Sequence, residues 1–232
     1  MSRQPLIAFL IIVLFLACGY FAVLPLAAQT YAGQAFRMES AGKLDSAMAA
    51  HKKALRLDPL NARYYRELGR LYLKKTRGVS DTGLRASARE AYAKAIELSP
   101  TNSRYRLGWA EAEALLLADQ EKVSDGELAS YVENLKKAVE FAPNSYYVNT
   151  TAGYYLLLFR DKISDRDKNF AIYRMRYALE LNPDYANQIF SYIANGLGDF
   201  NLLYKITPQT PEWQMRLRDF LRNINKWKYR RT

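Results

Sequence analysis

The sequence predicts an all-α fold: a right-handed superhelical solenoid of about four helix-turn-helix repeats, preceded by one N-terminal transmembrane helix and closed by a C-terminal capping helix. Three observations carry that expectation. Four segments end alike, "AHKKALRLDP", "AYAKAIELSP", "NLKKAVEFAP" and "RMRYALELNP", which places prolines at 59, 100, 143 and 183. An alanine stands five residues before each proline, at Ala54, Ala95, Ala138 and Ala178. Finally, no charged residue occurs between Arg3 and Arg37.

The uncharged stretch comes first in the chain. Its densest part, "PLIAFLIIVLFLACGYFAVLPLAA" (5–28), has the apolar length to cross a hydrocarbon layer of roughly 30 Å. A retained signal-anchor helix over 1–28 is the expectation. A cleaved signal peptide has a shorter apolar core and small residues at the cut, which "LPLAAQ" matches poorly. A lipoprotein places Leu and small residues before its cysteine, whereas "FLAC" (15–18) does not, and the chain stays apolar beyond Cys18. Positive flanks nearly balance, with Arg3 on one side and Arg37 and Lys43 on the other. The short N-terminal flank sets the expected orientation: single pass in the inner membrane of a bacterium, with the repeats in the periplasm. "QTYAGQAFRMES" (29–40) contains no proline, so the membrane helix is expected to run directly into the first repeat.

Residues 29–198 form the predicted solenoid, with repeats near 28–61, 62–102, 103–145 and 146–185 and a further helix, "YANQIFSYIANGL" (185–197). Alanine in each second helix lets a neighbour approach closely, and proline ends the helix before it. The first turn is read at "AGKLD", and the second repeat carries Tyr65, Leu68, Gly69 and Tyr72, then Ala88, Tyr92, Ala95 and Pro100. That pattern resembles the tetratricopeptide repeat family, a helical hairpin of 34 residues with Leu-Gly, aromatic, alanine and proline signatures at fixed positions. Other repeats keep less of it: Ala47, Ala54 and Pro59 in the first, Trp109, Ala110, Ala138 and Pro143 in the third, Gly153, Ala171, Ala178 and Pro183 in the fourth.

The prolines are 41, 43 and 40 residues apart, longer than the family period of 34. The surplus falls between the two helices of a repeat, where a triplet recurs: "VSD" at 79–81, "VSD" at 123–125 and "ISD" at 163–165. Ser80, Ser124 and Ser164 are expected to cap a second helix lengthened by about one turn. Ser124 and Glu127 have capping-box spacing, and Val123 with Leu128 or Val79 with Leu84 can close a hydrophobic staple. The aspartate of each triplet complements the helix dipole. The three longer turns are expected to make a ridge along one edge.

No catalytic constellation or cofactor site is expected. His51 is the only histidine and Cys18 the only cysteine, so neither a metal cluster of those residues nor a disulfide framework is available. His51 occupies a packing position. "NTT" (149–151) falls in a predicted helix and is discounted as a glycosylation site. What remains is surface. The formal net charge is +11, which favours anionic partners. In the family, the first helices line a concave binding face. The resemblance assigns to it Arg63, Arg66, Arg70 and Lys74 in the second repeat, Arg104 in the third, Tyr147 and Tyr154 in the fourth, and Asn187 and Phe190 beyond. One end of the groove is then cationic, suited to an acidic or extended protein segment by forked hydrogen bonds, and the other aromatic. A solvated basic face is the plainer reading of the same arginines. The family's Lys/Asn carboxylate clamp lacks its asparagines here.

Residues 199–232 are read as a linker and a basic amphipathic helix that starts with Thr210 as cap and Pro211 at the first helical position. Trp213, Leu217, Phe220, Ile224 and Trp227 form its apolar stripe, fit to close the solenoid. Arg216, Arg218, Arg222, Lys226 and the tail of Lys228, Arg230 and Arg231 are candidates, with Trp227, for anionic lipid headgroups. The function expected is a non-catalytic, membrane-anchored scaffold for protein–protein interaction in a cell-envelope complex, among which surface-polysaccharide and secretion assemblies are included. An accessory subunit of a membrane enzyme or electron-transfer complex is the first alternative. A cytoplasmic-side nucleic-acid-binding array is the second, and it is disfavoured by the sparse aromatic-basic interleaving.

Overall fold

The computed structural model describes the backbone of residues 4–228; between 4 and 22 only Phe9, Val13 and Gly19 are described beyond backbone, and the side chains of 225–228 lie outside the described residues. The order is α1 Gln4–Ser40, α2 Leu44–Leu57, α3 Ala62–Lys75, α4 Thr82–Leu98, α5 Ser103–Ala118, α6 Asp125–Phe141, α7 Tyr146–Leu158 and α8 Asp165–Leu181. A 3-10 turn (Pro183–Tyr185), α9 Ala186–Ser191, a π-helical turn (Tyr192–Leu197), α10 Phe200–Ile206 and α11 Pro211–Lys228 follow. No strand occurs among the described residues.

The chain divides into two compact units, Met1–Pro100 and Thr101–Thr232. In the first, α1 pairs with α2 and α3 with α4. Ala28, Ala54 and Tyr64 form one buried contact set, and Ala47, Met48, Leu68 and Leu71 another. In the second, α5 pairs with α6 and α7 with α8, around one continuous core in which Tyr131, Leu135, Leu156, Met175 and Leu179 are fully buried. The alanines that flagged the repeats, Ala54, Ala95, Ala138 and Ala178, are all at 0 % exposure, where a larger side chain would hold the paired helices apart.

α1 runs unbroken from Gln4 to Ser40, and ends at a turn in which Gly42 takes φ 74°, a left-handed conformation that glycine adopts without steric cost. Among the described residues, no helix is long and apolar enough to cross a membrane. Most side chains of the apolar run lie outside those residues.

The longer repeats carry longer second helices: α4, α6 and α8 have 17 residues each, against 14 in α2. Two of the three serines cap them. Ser124 accepts from Glu127 N while Glu127 accepts from Ser124 N, a complete capping box. Ser164 accepts from Asp167 N, and its hydroxyl donates to Asp167 at 2.6 Å. The third expectation is off by one residue: Asp81, not Ser80, caps α4, accepting from Leu84 N at 2.9 Å. The reason is local. Three residues after Ser124 and Ser164 stands a carboxylate that returns the bond, whereas three after Ser80 stands Gly83, so the neighbouring aspartate takes the cap. Val79 is 62 % exposed and closes no staple, whereas Ile163 is buried in the core of the second unit. Ser124→Ala is expected to cost about 1 kcal/mol, read as a lower urea midpoint, and Ser80→Ala close to nothing.

The C-terminal third departs furthest from expectation. The stretch expected as one helix over 185–197 is a 3-10 turn, a short helix and a π turn ending at Gly198, φ 66°. The expected linker contains α10, capped by Asp199 through Asn201 N and Leu202 N. α11 begins at Pro211 and buries Trp213, Leu217 and Phe220 on the core; Trp227 lies outside the described side chains.

Candidate functional site

In the first unit, α1, α2 and α3 enclose an open cavity of about 530 Å³. Its walls include Ala32, Gly33, Phe36 and Glu39 from α1, His51 from α2, and Arg63, Tyr64, Glu67 and Arg70 from α3, with Asn61 at the α3 cap. Asn61 fixes the start of α3 by accepting from Arg63 N, so that residues 63, 66, 70 and 74 fall on one helical face.

That face carries its own counter-charges. Arg70 makes a forked pair with Glu39, at 2.7 and 2.5 Å, and donates through Nε to Glu67 at 2.8 Å. Lys74 reaches the same Glu39 at 2.9 Å, and Arg66 pairs with Glu67. Glu39 is nearly buried, with 11 % of its side chain exposed, and the Arg70 hydrogen bonds foremost, with Lys74 beside them, lower its pKa from 4.5 to about 2. Arg63 is exposed at the cavity wall and holds no ion pair among the described residues. The cation-rich face of α3 is therefore largely a tie between α3 and α1, with Arg63 as its open charge. Sequence reasoning omitted Glu39; the signal was present, since it sits at a groove position of the first repeat's first helix.

His51 is buried, its ring centroid 6.4 Å from that of Tyr64. Desolvation first, then Arg70, pushes its pKa below the usual 6.5. Both groups give the first unit the same acid sensitivity. A histidine whose folded pKa is depressed binds its proton more readily when unfolded, so stability falls as pH drops below about 6.5. A carboxylate depressed to about 2 adds stability above 4.5 that is lost as pH falls from 4.5 towards 2. Glu39→Gln is expected to remove the second leg and to cost on the order of 1–2 kcal/mol at pH 7 after allowance for solvent screening. Urea midpoints measured from pH 7 to pH 2 check both the loss and its pH window.

In the second unit, Arg104 is exposed at the start of α5, held by the Asn102 cap. Tyr147 is 50 % exposed, Asn187 is exposed and Tyr154 is half-buried between Tyr155 and Tyr192, at ring distances of 5.6 and 5.7 Å. Phe190, placed in the groove by its repeat position, is at 0 % exposure, with its ring 5.3 Å from Phe220. It belongs to the core because α11 covers it. Asn149 is also fully buried, its amide donating to Pro143 O and Ser145 O. Of the lipid candidates, Arg216 pairs with Glu212 at 3.1 Å and lies over the Trp213 ring, Arg222 stands 3.8 Å from Asp219, and Arg218 is exposed. Lys226, Trp227, Lys228, Arg230 and Arg231 lie outside the described side chains. Among the described residues, no group of three or more His, Cys, Asp or Glu could hold a metal ion.

A TPR repeat model matches residues 40–75, from the end of α1 through α3. A solved structure of a thermophilic TPR protein from Thermus thermophilus is similar at TM-score 0.57 and 20% identity, over 84% of this chain and 98% of that one. The crystal structure of MamA is similar at TM-score 0.54 and 18% identity, over 83% and 96% of the two chains. YrrB, described as a TPR protein with an unusual peptide-binding site, is similar at TM-score 0.50 and 20% identity, over 76% and 82%. No curated protein matches the chain. In fold the chain is an all-α helical repeat protein similar to these solved TPR structures, and its residues 40–75 match a TPR repeat.

Proposed function

We propose that this chain is a non-catalytic scaffold of a bacterial cell-envelope complex, held to the inner membrane by the segment 5–28 and presenting its repeats to the periplasm. The observation that carries the interaction reading is the cavity of about 530 Å³ on the first-helix face of the first unit. It is walled by Phe36 and Tyr64 and edged by the open charge of Arg63, which suits an extended partner segment bearing an acidic group. YrrB, whose fold is similar, is described as having a peptide-binding site, which favours the same use of a repeat surface. Anchoring is favoured by the absence of charge between Arg3 and Arg37 and by the continuity of α1 up to the first repeat. The exposed Arg218 and Arg222 of α11 suit anionic headgroups.

Affinity capture of the full chain from its native membrane in mild detergent tests the scaffold. Arg63→Glu is the informative variant, because Arg63 holds no ion pair among the described residues, whereas reversing Arg70 would also release Glu39. Loss of specific co-purifying proteins is expected; an unchanged set refutes the cavity as the docking site. A C-terminal alkaline phosphatase fusion is expected to be active, and an inactive fusion with a working cytoplasmic reporter reverses the topology.

A further inference from the structure

Beyond the uncharged stretch before Arg37, α7 and the segment after α8 stand apart from a strongly charged chain. Neither 146–158 nor 185–197 contains a single charged residue. Tyrosines take their place. The Tyr146 and Tyr185 rings lie 4.5 Å apart and those of Tyr154 and Tyr192 5.7 Å apart, so two aromatic pairs bridge α7 to that later segment. Tyr147, Tyr185 and Tyr192 are 50, 40 and 42 % exposed. Asn187 and Gln188 are exposed beside them, and Gln188 donates to Tyr192 Oη at 3.1 Å, leaving that hydroxyl's own proton for another acceptor. Tyr192 opens the π-helical turn, a rare widening of the helix found frequently at functional sites. Gly196, in the same turn, leaves no room for a β-carbon against the Tyr154 hydroxyl.

We propose that this uncharged tyrosine face of the second unit docks a proline-rich segment of a partner protein in the polyproline II conformation. The inference rests on the scaffold reading and names the partner chemistry of a different surface. Neither of the two segments offers a counter-charge of its own to an acidic or basic partner. A polyproline II strand needs none: its proline rings lie on aromatic faces, and its unpaired carbonyls accept from hydroxyl and amide donors. The spacing agrees. Tyr147 and Tyr154 are seven residues apart on one face of α7, about 10 Å along a helix. Prolines three apart in such a strand are about 9 Å apart.

The test titrates fluorescent decaproline into the full chain in detergent and into Tyr147→Ala and Tyr192→Ala, with neutral dextran as a second probe. Both tyrosines are about half exposed, and unchanged thermal melts verify folding. Saturable decaproline binding, weakened roughly tenfold by each substitution and untouched by Arg63→Glu, is the expected result. No binding, equal binding by the tyrosine variants, or binding of dextran in place of decaproline overturns the proposal. Native partners retained while decaproline is ignored defeats this inference alone; an empty native capture defeats the scaffold reading, and the titration still decides this one.

Discussion

Tyr131→Ala is expected to lower the stability of the second unit by about 3–5 kcal/mol. Tyr131 sits in α6 at 0 % exposure, edge-on to Phe159 at 5.3 Å. Its removal leaves a cavity at the point where α6, α7 and the turn after α7 meet. The hydroxyl adds a second role. It donates to Tyr155 O at 2.8 Å, and Tyr155 is among the last four residues of α7, whose carbonyls lack helical partners. Burial pushes the phenol well above its ordinary value of 10, so it remains a donor across the accessible pH range. Tyr131→Phe keeps the ring and is expected to lose only about 1 kcal/mol. Urea unfolding followed by far-UV circular dichroism separates the two. Equal losses for both variants would assign the whole effect to the hydrogen bond.

The second large effect is expected at Gly153, where α7 crosses α8. A β-carbon there would lie 3.0 Å from the Ala171 carbonyl oxygen and collide with the Met175 side chain. Met175 can turn aside, but a backbone carbonyl in a paired helix cannot, so Gly153→Val is expected to cost about 3 kcal/mol. The control is Gly126, in the first turn of α6, where an added β-carbon meets no neighbouring segment within 4 Å. There alanine replaces a poor helix former without meeting a neighbour, and Gly126→Ala is expected to be neutral or to stabilise by up to about 1 kcal/mol. Calorimetric melts of the two variants should move in opposite directions. A Gly153→Val melt that matches the parent would mean that α7 and α8 are less closely packed than their glycine–carbonyl contact implies.

Gly153 illustrates how repeat signals translate into packing. Gly153 and Ala171 stand at repeat positions that demand small side chains, and that demand is legible in sequence because it is periodic. Phe190 shows the limit. Its repeat position places it on a partner-facing surface, but α11 folds over it, and no local pattern around residue 190 announces a helix that begins at residue 211. The arginine face shows another limit. Arg66, Arg70 and Lys74 share a helical face by spacing alone, and Glu67 on the same helix answers Arg66. The partner of Lys74 and the forked partner of Arg70, by contrast, is Glu39, 31 residues before Arg70, brought there because α1 and α3 both pack on α2.

By itself the sequence determined the helical repeat, its period, the small residues at the crossings, the lengthened second helices and two of their three serine caps. Each of these is set by chain-local chemistry: proline geometry, alanine size, and a hydroxyl with a carboxylate three residues on. Only the tertiary structure decided which charges are spent on each other, which aromatic residues are core, and where the backbone leaves the α-helix for a π turn between Tyr192 and Leu197. Those outcomes depend on distances between segments far apart in the chain, and ionic and aromatic contacts act only over the few ångströms that folding supplies.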